Sequence, residues 1–332
     1  MHRINRTTLL GIIISVLLPI PVSWSETIYD KPYMADFPWQ PPTQEIKEFI
    51  QHSDVIFVGI SETLDGSYQG RIKPLEIFKG KLDAATVKLS WQPSATGLAS
   101  GSRHLFFVKK KGTEWEVIKE MYIHNNPYDA IRAYGAMDGG REATLSVVKY
   151  LSGQHVPSNQ LSELLLTEAK HEHNQRRETA LLLAIELSDS ASIPALQYAA
   201  EQEGDARAIY ALVRLDGPRG TECALKYLID HPECRRDQQA PIFAALARAG
   251  NSQVVTALSE FGSAHPEFQV SCAFVMAQLG AEKGISTITQ WQHAPDAKMN
   301  TERVSTGWQT DDIPRAELLQ KALAMFGNGP DN

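Results

Sequence analysis

The sequence predicts a two-part α+β chain: a small antiparallel five-stranded barrel or sandwich, followed by an array of paired α-helices. Three observations carry that expectation. From Asp54 to Glu120 the apolar residues fall in short β-branched and aromatic runs divided by turns, with no crossover helix among them. After Gly139 the apolar spacing changes to three and four residues. In that second half a segment of about thirty residues recurs, which is the mark of stacked helix pairs.

The chain opens with Arg3 and Arg6, runs apolar from Leu9 to Leu18, breaks at Pro19 and Pro21, and places Ser23 and Ser25 around Trp24. This is the order of a cleavable signal peptide, and the cut is expected after Ser25. A run of ten residues is half of the roughly 20 that a spanning helix needs. No Cys lies near the cut for lipid attachment, and no later stretch is apolar enough to span a bilayer. A soluble, periplasmic or secreted protein is therefore expected, with no membrane insertion after signal removal. Taking 25 residues from 332 leaves 307 and moves the formal charge from −7 to −9. That balance argues against nucleic acid and anionic membrane surfaces, which attract basic faces. Hydrophobic residues make up 43% of the chain, enough for ordinary cores. Cys223, Cys234 and Cys272 are too few for a disulfide scaffold, so the fold must rest on burial.

Residues 26–42 are rich in Pro and aromatics (Tyr29, Tyr33, Phe37, Trp39), which predicts an extended lead-in. Its aromatics would lie on the following domain or form an exposed partner-binding strip. The β domain is placed at 43–138. Thr43 is read as the N-cap of a short helix with Ile46, Phe49 and Ile50 on one face. Then come the runs DVIFVGISE, YQGRIKPLEIFKG and ATVKLSW, the last alternating Val87, Leu89 and Trp91 against polar residues as a half-buried strand does. A Gly/Ser-rich loop at Ser94–Ser102 leads to RHLFFVKK, and a turn at Lys111–Thr113 leads to EWEVIKE.

The order "SDVIFVG", "LEIFKG", "VKLSW", "GSRHLFFVKKKG", over about residues 50 to 120, resembles the netrin/TIMP-like five-stranded OB barrel of many exported bacterial proteins. Tissue inhibitors of metalloproteinases set a Cys at the mature N-terminus on the protease zinc. This chain has no Cys before Cys223, so the resemblance implies the barrel and drops the inhibitory chemistry.

The helical domain is placed at 139–327, with a tail at 328–332. ATLSVVKYL and NQLSELLLTEA are divided by a break at Gly153–Pro157. The repeats follow, with first-helix anchors Leu187, Leu215, Ala249 and Leu279 spaced 28, 34 and 30 residues apart. Second helices centre on Leu196, Leu225, Leu258 and Ile288. The pattern, over about residues 160 to 295, is similar to HEAT-like repeats of the short bacterial kind, which implies an α-helical solenoid; a non-repeating bundle is the alternative. The polar stretch His293–Ile313, with Met299 and Trp308, is read as a long loop, a kind usually functional or mobile. A last helix, Arg315–Phe326, would cap the array. Nothing in the sequence asks for a core common to both parts, so separate unfolding is expected.

No motif for catalysis emerges. Ser61 lacks the closing Gly of a nucleophile elbow, Gly80-Lys81 is followed by Leu82 where a P-loop needs Ser or Thr, and Gly97 and Gly101 are too far apart for a dinucleotide fingerprint. His171 and His173 on a helix would point about 200° apart, so with Glu172 they are read as a polar helix end, with no metal or cofactor expected. Lys109–Lys111 read as solvated lysines at a hairpin tip, and Asp311 and Asp312 have no fixed partner. Cys223 and Cys234 would lie roughly 10 Å apart along a helix, too far for a bridge. The expected function is a non-enzymatic protein-interaction module. Its candidate partner-binding ladder is Gln197, Lys226, Ser259 and Thr289, flanked by Tyr198 and Tyr227, with Glu201, Asp230 and His293 one turn on. The alternative is an inhibitor or immunity-type protein that blocks an enzyme in the same compartment.

Overall fold

The computed structural model describes residues 40–42, 44–64, 69–90, 103–112, 114–117, 140–231, 236–250, 252–306 and 309–327. The signal segment, the lead-in up to Trp39, Thr43, the Gly/Ser-rich loop, Cys234, Trp308 and the tail lie outside the described residues.

A short helix, α1 (Glu45–His52), precedes five strands: β1 (Val55–Leu64), β2 (Gln69–Lys79), β3 (Val87–Ser90), β4 (Arg103–Lys111) and β5 (Glu114–Val117). Each falls on one of the β-branched runs. They close into a barrel in the order β1-β2-β3-β5-β4, with β4 returning to β1. Four of the neighbouring pairs are antiparallel, and β3 against β5 is parallel. The expectation of a wholly antiparallel barrel is corrected here by parity. Strand directions can alternate all the way round a ring only if the number of strands is even.

The strands around the seam are apolar on both faces. Val55 and Phe57 of β1 point into the barrel with Phe106 and Val108 of β4, and Phe57 stacks on Phe106 at 5.2 Å between ring centres. Their alternates Ile56, Val58, Leu105 and Phe107 point outward, yet they too are buried. What covers them is α1, whose Ile46, Phe49 and Ile50 are buried, with Phe49 edge-on to Phe107 at 6.0 Å.

The described residues from Gly140 to His293 form a run of helices: α2 (Gly140–Leu151), α3 (Ser158–Ala169), α4 (Asn174–Leu187), α5 (Ile193–Glu203), α6 (Ala206–Leu215), α7 (Gly217–Asp230), α8 (Arg236–Ala249), α9 (Ser252–Ala264), α10 (Gln269–Gln278) and α11 (Glu282–His293). Even-numbered helices from α2 to α10 each touch the next even one, and odd-numbered helices from α3 to α11 each touch the next odd one. The result is two layers of side-by-side helices, linked by turns. Leu196, Leu225, Leu258 and Ile288 are all buried where the layers meet. A final helix, α13 (Arg315–Gly327), packs on both α10 and α11 and closes the array.

The stretch after His293 is no loop. It holds a one-turn helix, α12 (Pro295–Met299), and a hairpin of β6 (Thr301–Thr306) and β7 (Gln309–Pro314). Pro295 suits a first helical position. The hairpin is anchored by a buried ion pair, Glu302 to Arg315, at 3.1 Å.

The two parts share a core. One apolar cluster runs from the outer face of β1, β2 and β4 through α1 into α2, α4 and the remaining helices. Both ends of α1 are held by distant side chains. At its N-terminus the Glu186 carboxylate, on α4, accepts from Ile46 N–H (2.8 Å) and Lys47 N–H (3.3 Å). In return Gln44 donates to the Ile185 carbonyl at the end of α4 (3.1 Å) and to Ser188 Oγ (2.7 Å). At the C-terminus Lys79 Nζ, from β2, donates to the Ile50 and Ser53 carbonyls at 2.6 and 2.7 Å. A second tie comes from the α2–α3 turn, where Gln154 donates to the Ile77 and Phe78 carbonyls of β2, both at 3.0 Å. Separate cores were the expectation, and tertiary contacts spanning about 140 residues replace them.

Helix spacing in the array depends on small residues at crossings. A Cβ on Gly220 of α7 would sit 2.4 Å from the Val213 amide nitrogen of α6. Replacing Gly by Ala in a helix interior ordinarily gains roughly 0.5–1 kcal/mol. Here the contact is with backbone that cannot rotate away, and overpacking costs about 1–3 kcal/mol. Gly220→Ala should therefore lower the melting temperature measured by circular dichroism. An unchanged or raised value would contradict the close crossing.

Candidate functional site

The second helices α5, α7, α9 and α11 form one layer, and the residues following their buried leucines and isoleucine emerge near its surface. Lys226 is exposed, whereas Gln197, Ser259 and Thr289 are half-buried. Their polar atoms turn to near neighbours. Gln197 donates to Glu201 Oε1 at 2.8 Å, one turn on, and Thr289 Oγ1 to the Ile285 carbonyl of its own helix at 2.8 Å. Ser259 Oγ lies 3.3 Å from Met276 Sδ on α10, so it faces the other layer. Tyr198 and Tyr227 pack half-buried against the main cluster. The Lys170 ammonium sits 5.7 Å over the Tyr198 ring. Tyr227 lies against Gly204, where a Cβ would be 2.3 Å from its ring, and its ring is 4.3 Å from that of His231. The two tyrosines thus fill gaps between neighbouring helix pairs, and the ladder narrows to Gln197 and Lys226 with Glu201, Asp230 and exposed Ile229 beside them.

A second cluster, of which the sequence reading singled out only His171, Glu172 and His173, lies where the layers turn over. Arg207, at the start of α6, binds Glu178 at 2.5 and 2.9 Å and Asp205 at 2.7 and 3.2 Å. Those hydrogen bonds, with Glu178 the leading cause, hold its guanidinium above its ordinary pKa. Asp205 also caps α6 through the Arg207 and Ala208 amides. Arg177 reaches Glu203 at 2.8 Å and donates to the His171 and Glu172 carbonyls at 3.0 Å each. Arg176 grips buried Glu168 through two hydrogen bonds, and its Nη1 lies 2.6 Å from His171 Nε2. His171 and His173 lie in the link between α3 and α4 and not on a helix, and their rings stack at 5.2 Å, which corrects the expectation that they point apart. Among the described residues no group of three or more His, Cys, Asp or Glu is placed to hold a metal ion. Shallow grooves run along this edge, lined by Asn174, Arg177, Glu178 and Glu203 and continuing past Asp205 to Tyr227. The signal available in sequence was the recurrence of Arg and acid at one-repeat spacing, as in Glu178 and Arg207, 29 residues apart.

Of the other residues singled out, Lys110 and Lys111 are locally satisfied. Lys110 N–H donates to Asp54 at 2.8 Å, its ammonium lies 5.8 Å from the centre of the Trp115 ring, and Lys111 pairs with Glu116 at 3.3 Å. Asp312 is exposed at the hairpin. Cys223 is free and buried in α7, its thiol 3.4 Å from Glu201 Oε1 and pushed up to about 12, chiefly by burial. Cys272 is free, fully enclosed, and shifted the same way by the same cause. Neither thiol is set up as a nucleophile at neutral pH. Among the described residues, the carboxyl of Glu186 is raised by burial to about 7 against the opposing pull of the Ile46 and Lys47 amides. No helix of the described residues is long and apolar enough to cross a membrane. No protein-family model, no curated protein and no solved structure matches the chain.

Proposed function

We propose that this chain is an exported, non-enzymatic protein-interaction module that engages a partner through the surface of its second-helix layer. The observation that carries it is the side-by-side packing of α5, α7, α9 and α11, which brings residues about thirty apart in sequence onto one continuous surface. Solenoids of HEAT-like repeats expose such a layer, and the alternation of contacts along the array supports that repeat type. The barrel, of OB and netrin/TIMP-like kind on this reading, docks through α1 and extends the surface at one end. The saturated charges at the turns, Arg207 with Glu178 and Asp205 and Arg176 with Glu168, favour a structural role for that edge over catalysis.

Lys226 is the test point, because it is exposed and its replacement should move stability by less than about 0.5 kcal/mol. Full-length chain immobilised and exposed to a periplasmic extract should recover a defined partner, and Lys226→Glu should reduce that recovery at least about tenfold. Tyr198→Ala should do the same at some cost in melting temperature, since that ring is half-buried. Equal recovery by wild type and both variants would place the surface elsewhere. Recovery of a single exported enzyme, inhibited on binding, would turn the reading to the inhibitor or immunity alternative. Export has its own check. The intact mass of protein from the periplasmic fraction should begin at Glu26, and retention of Met1 would remove that part of the proposal.

A further inference from the structure

On the outer wall of the barrel, β2 and β3 bring three cations together. The register sets Arg71 of β2 directly opposite Lys88 of β3. Ile72, Val87 and Leu89, which alternate with them, fill the barrel interior, so Arg71 and Lys88 point outward side by side. Lys73, two residues on from Arg71, lies on the same face, opposite Ile60 of β1. All three cations are exposed. Among the described residues no carboxylate forms an ion pair with any of them. Glu62, exposed in the irregular part of β1, accepts from Thr86 Oγ1 at 3.2 Å. Lys79, Lys111 and Lys149, in contrast, each have a close partner. Like charges set directly opposite on neighbouring strands weaken the pairing. The chain has 39 acidic residues against 32 basic ones, so a ridge of unopposed cations runs against both its composition and its stability.

We infer that this ridge is a docking surface for an acidic, extended segment of a protein partner, separate from the second-helix surface proposed above. Alternate residues of a strand lie roughly 6.8 Å apart, and directly opposed ones about 5 Å. A segment with Asp or Glu at alternate positions repeats at that same length. Laid along β2, it brings successive carboxylates to Arg71 and Lys73, while Lys88 closes on the first from the side. The Arg71 guanidinium can take a carboxylate through two parallel hydrogen bonds. Exposed Leu75, two residues beyond Lys73, continues the line of β2 with an apolar contact. A protein segment fits better than a nucleic acid because the whole chain carries a formal charge of −7, which repels a dense polyanion. A few carboxylates feel mainly the ridge itself, since screening limits the field of exposed charges to about 8–10 Å.

The test titrates the full-length protein, by fluorescence anisotropy, against a labelled, end-capped synthetic peptide in which Asp and Thr alternate. Binding should weaken as salt is raised, and a peptide with Lys in place of Asp should not bind. Arg71→Glu and Lys88→Glu should each weaken binding at least about tenfold. Both should leave the melting temperature unchanged or raised, because each turns a like-charge opposition into an opposite-charge one. Lys226→Glu, on the helical array, should bind the peptide as the wild type does, so failure of this inference is distinct from failure of the second-helix surface. No binding by the wild type, equal binding by both barrel variants, or loss in Lys226→Glu would overturn the inference. A melting temperature lowered in both barrel variants would show the cations to be structural and overturn it as well. So would a single-stranded oligonucleotide that binds more tightly than the peptide and is lost from the same variants. Should the reversals fail to fold, Lys73→Ala and Lys88→Ala decide by the same comparison, with weaker binding supporting the ridge and unchanged binding overturning it.

Discussion

The position of α1 is the constraint on which the arrangement depends. At eight residues it is well below the roughly 12–15 at which an isolated helix becomes even marginally stable in water. Its stability has to come from outside. Burying Ile46, Phe49 and Ile50 supplies most of it, at about 1.5–3 kcal/mol each. The caps contribute about 1 kcal/mol apiece and decide where the helix sits. A negative group, Glu186, meets its positive end and a positive group, Lys79, meets its negative end. One of these comes from the array and the other from the barrel, so α1 is stable only where both surfaces are present. Gln44 returns the favour by capping α4.

From that joint the rest follows in both directions. The strands facing α1 must be apolar on their outer side as well as inside, which is why β1 and β4 read as unbroken hydrophobic runs. On the other side α2 and α4 begin the even layer, and each added pair buries its apolar face on the one before it. The chain ends the array with α13, which takes the place of a further pair by contacting both layers. Charge pairs between turns, such as Arg207 with Glu178, fix neighbouring pairs relative to one another. An interaction surface built from successive helices needs that registration, because its residues are close in space only while the stack holds.

Much of this was legible in the sequence. The five strands were visible because β-branched and aromatic residues cluster between turn residues, and the helix pairs because Leu196, Leu225, Leu258 and Ile288 recur at repeat spacing. The parallel β3–β5 pair was hidden, since strand direction is a property of ring closure and not of any segment. The hairpin at Thr301–Pro314 was missed because its strands are polar and short. Within the ladder, spacing alone could not tell that Ser259 turns towards Met276 or that Tyr227 fills the gap over Gly204. Glu186 left one clue, an acid on the same helical face as buried Leu183. Its partners lie 140 residues away in sequence, beyond the reach of any local pattern.

The continuity of the core through α1 can be measured directly by native-state hydrogen exchange of the full-length protein across a denaturant series. If the account holds, amides of Ile56 and Phe107 on the outward-facing strands and of Val147 and Leu183 in α2 and α4 will open with one free energy and one denaturant dependence. If the strands open at lower denaturant while α2 and α4 stay protected, the barrel and the array are independent units and α1 does not join them.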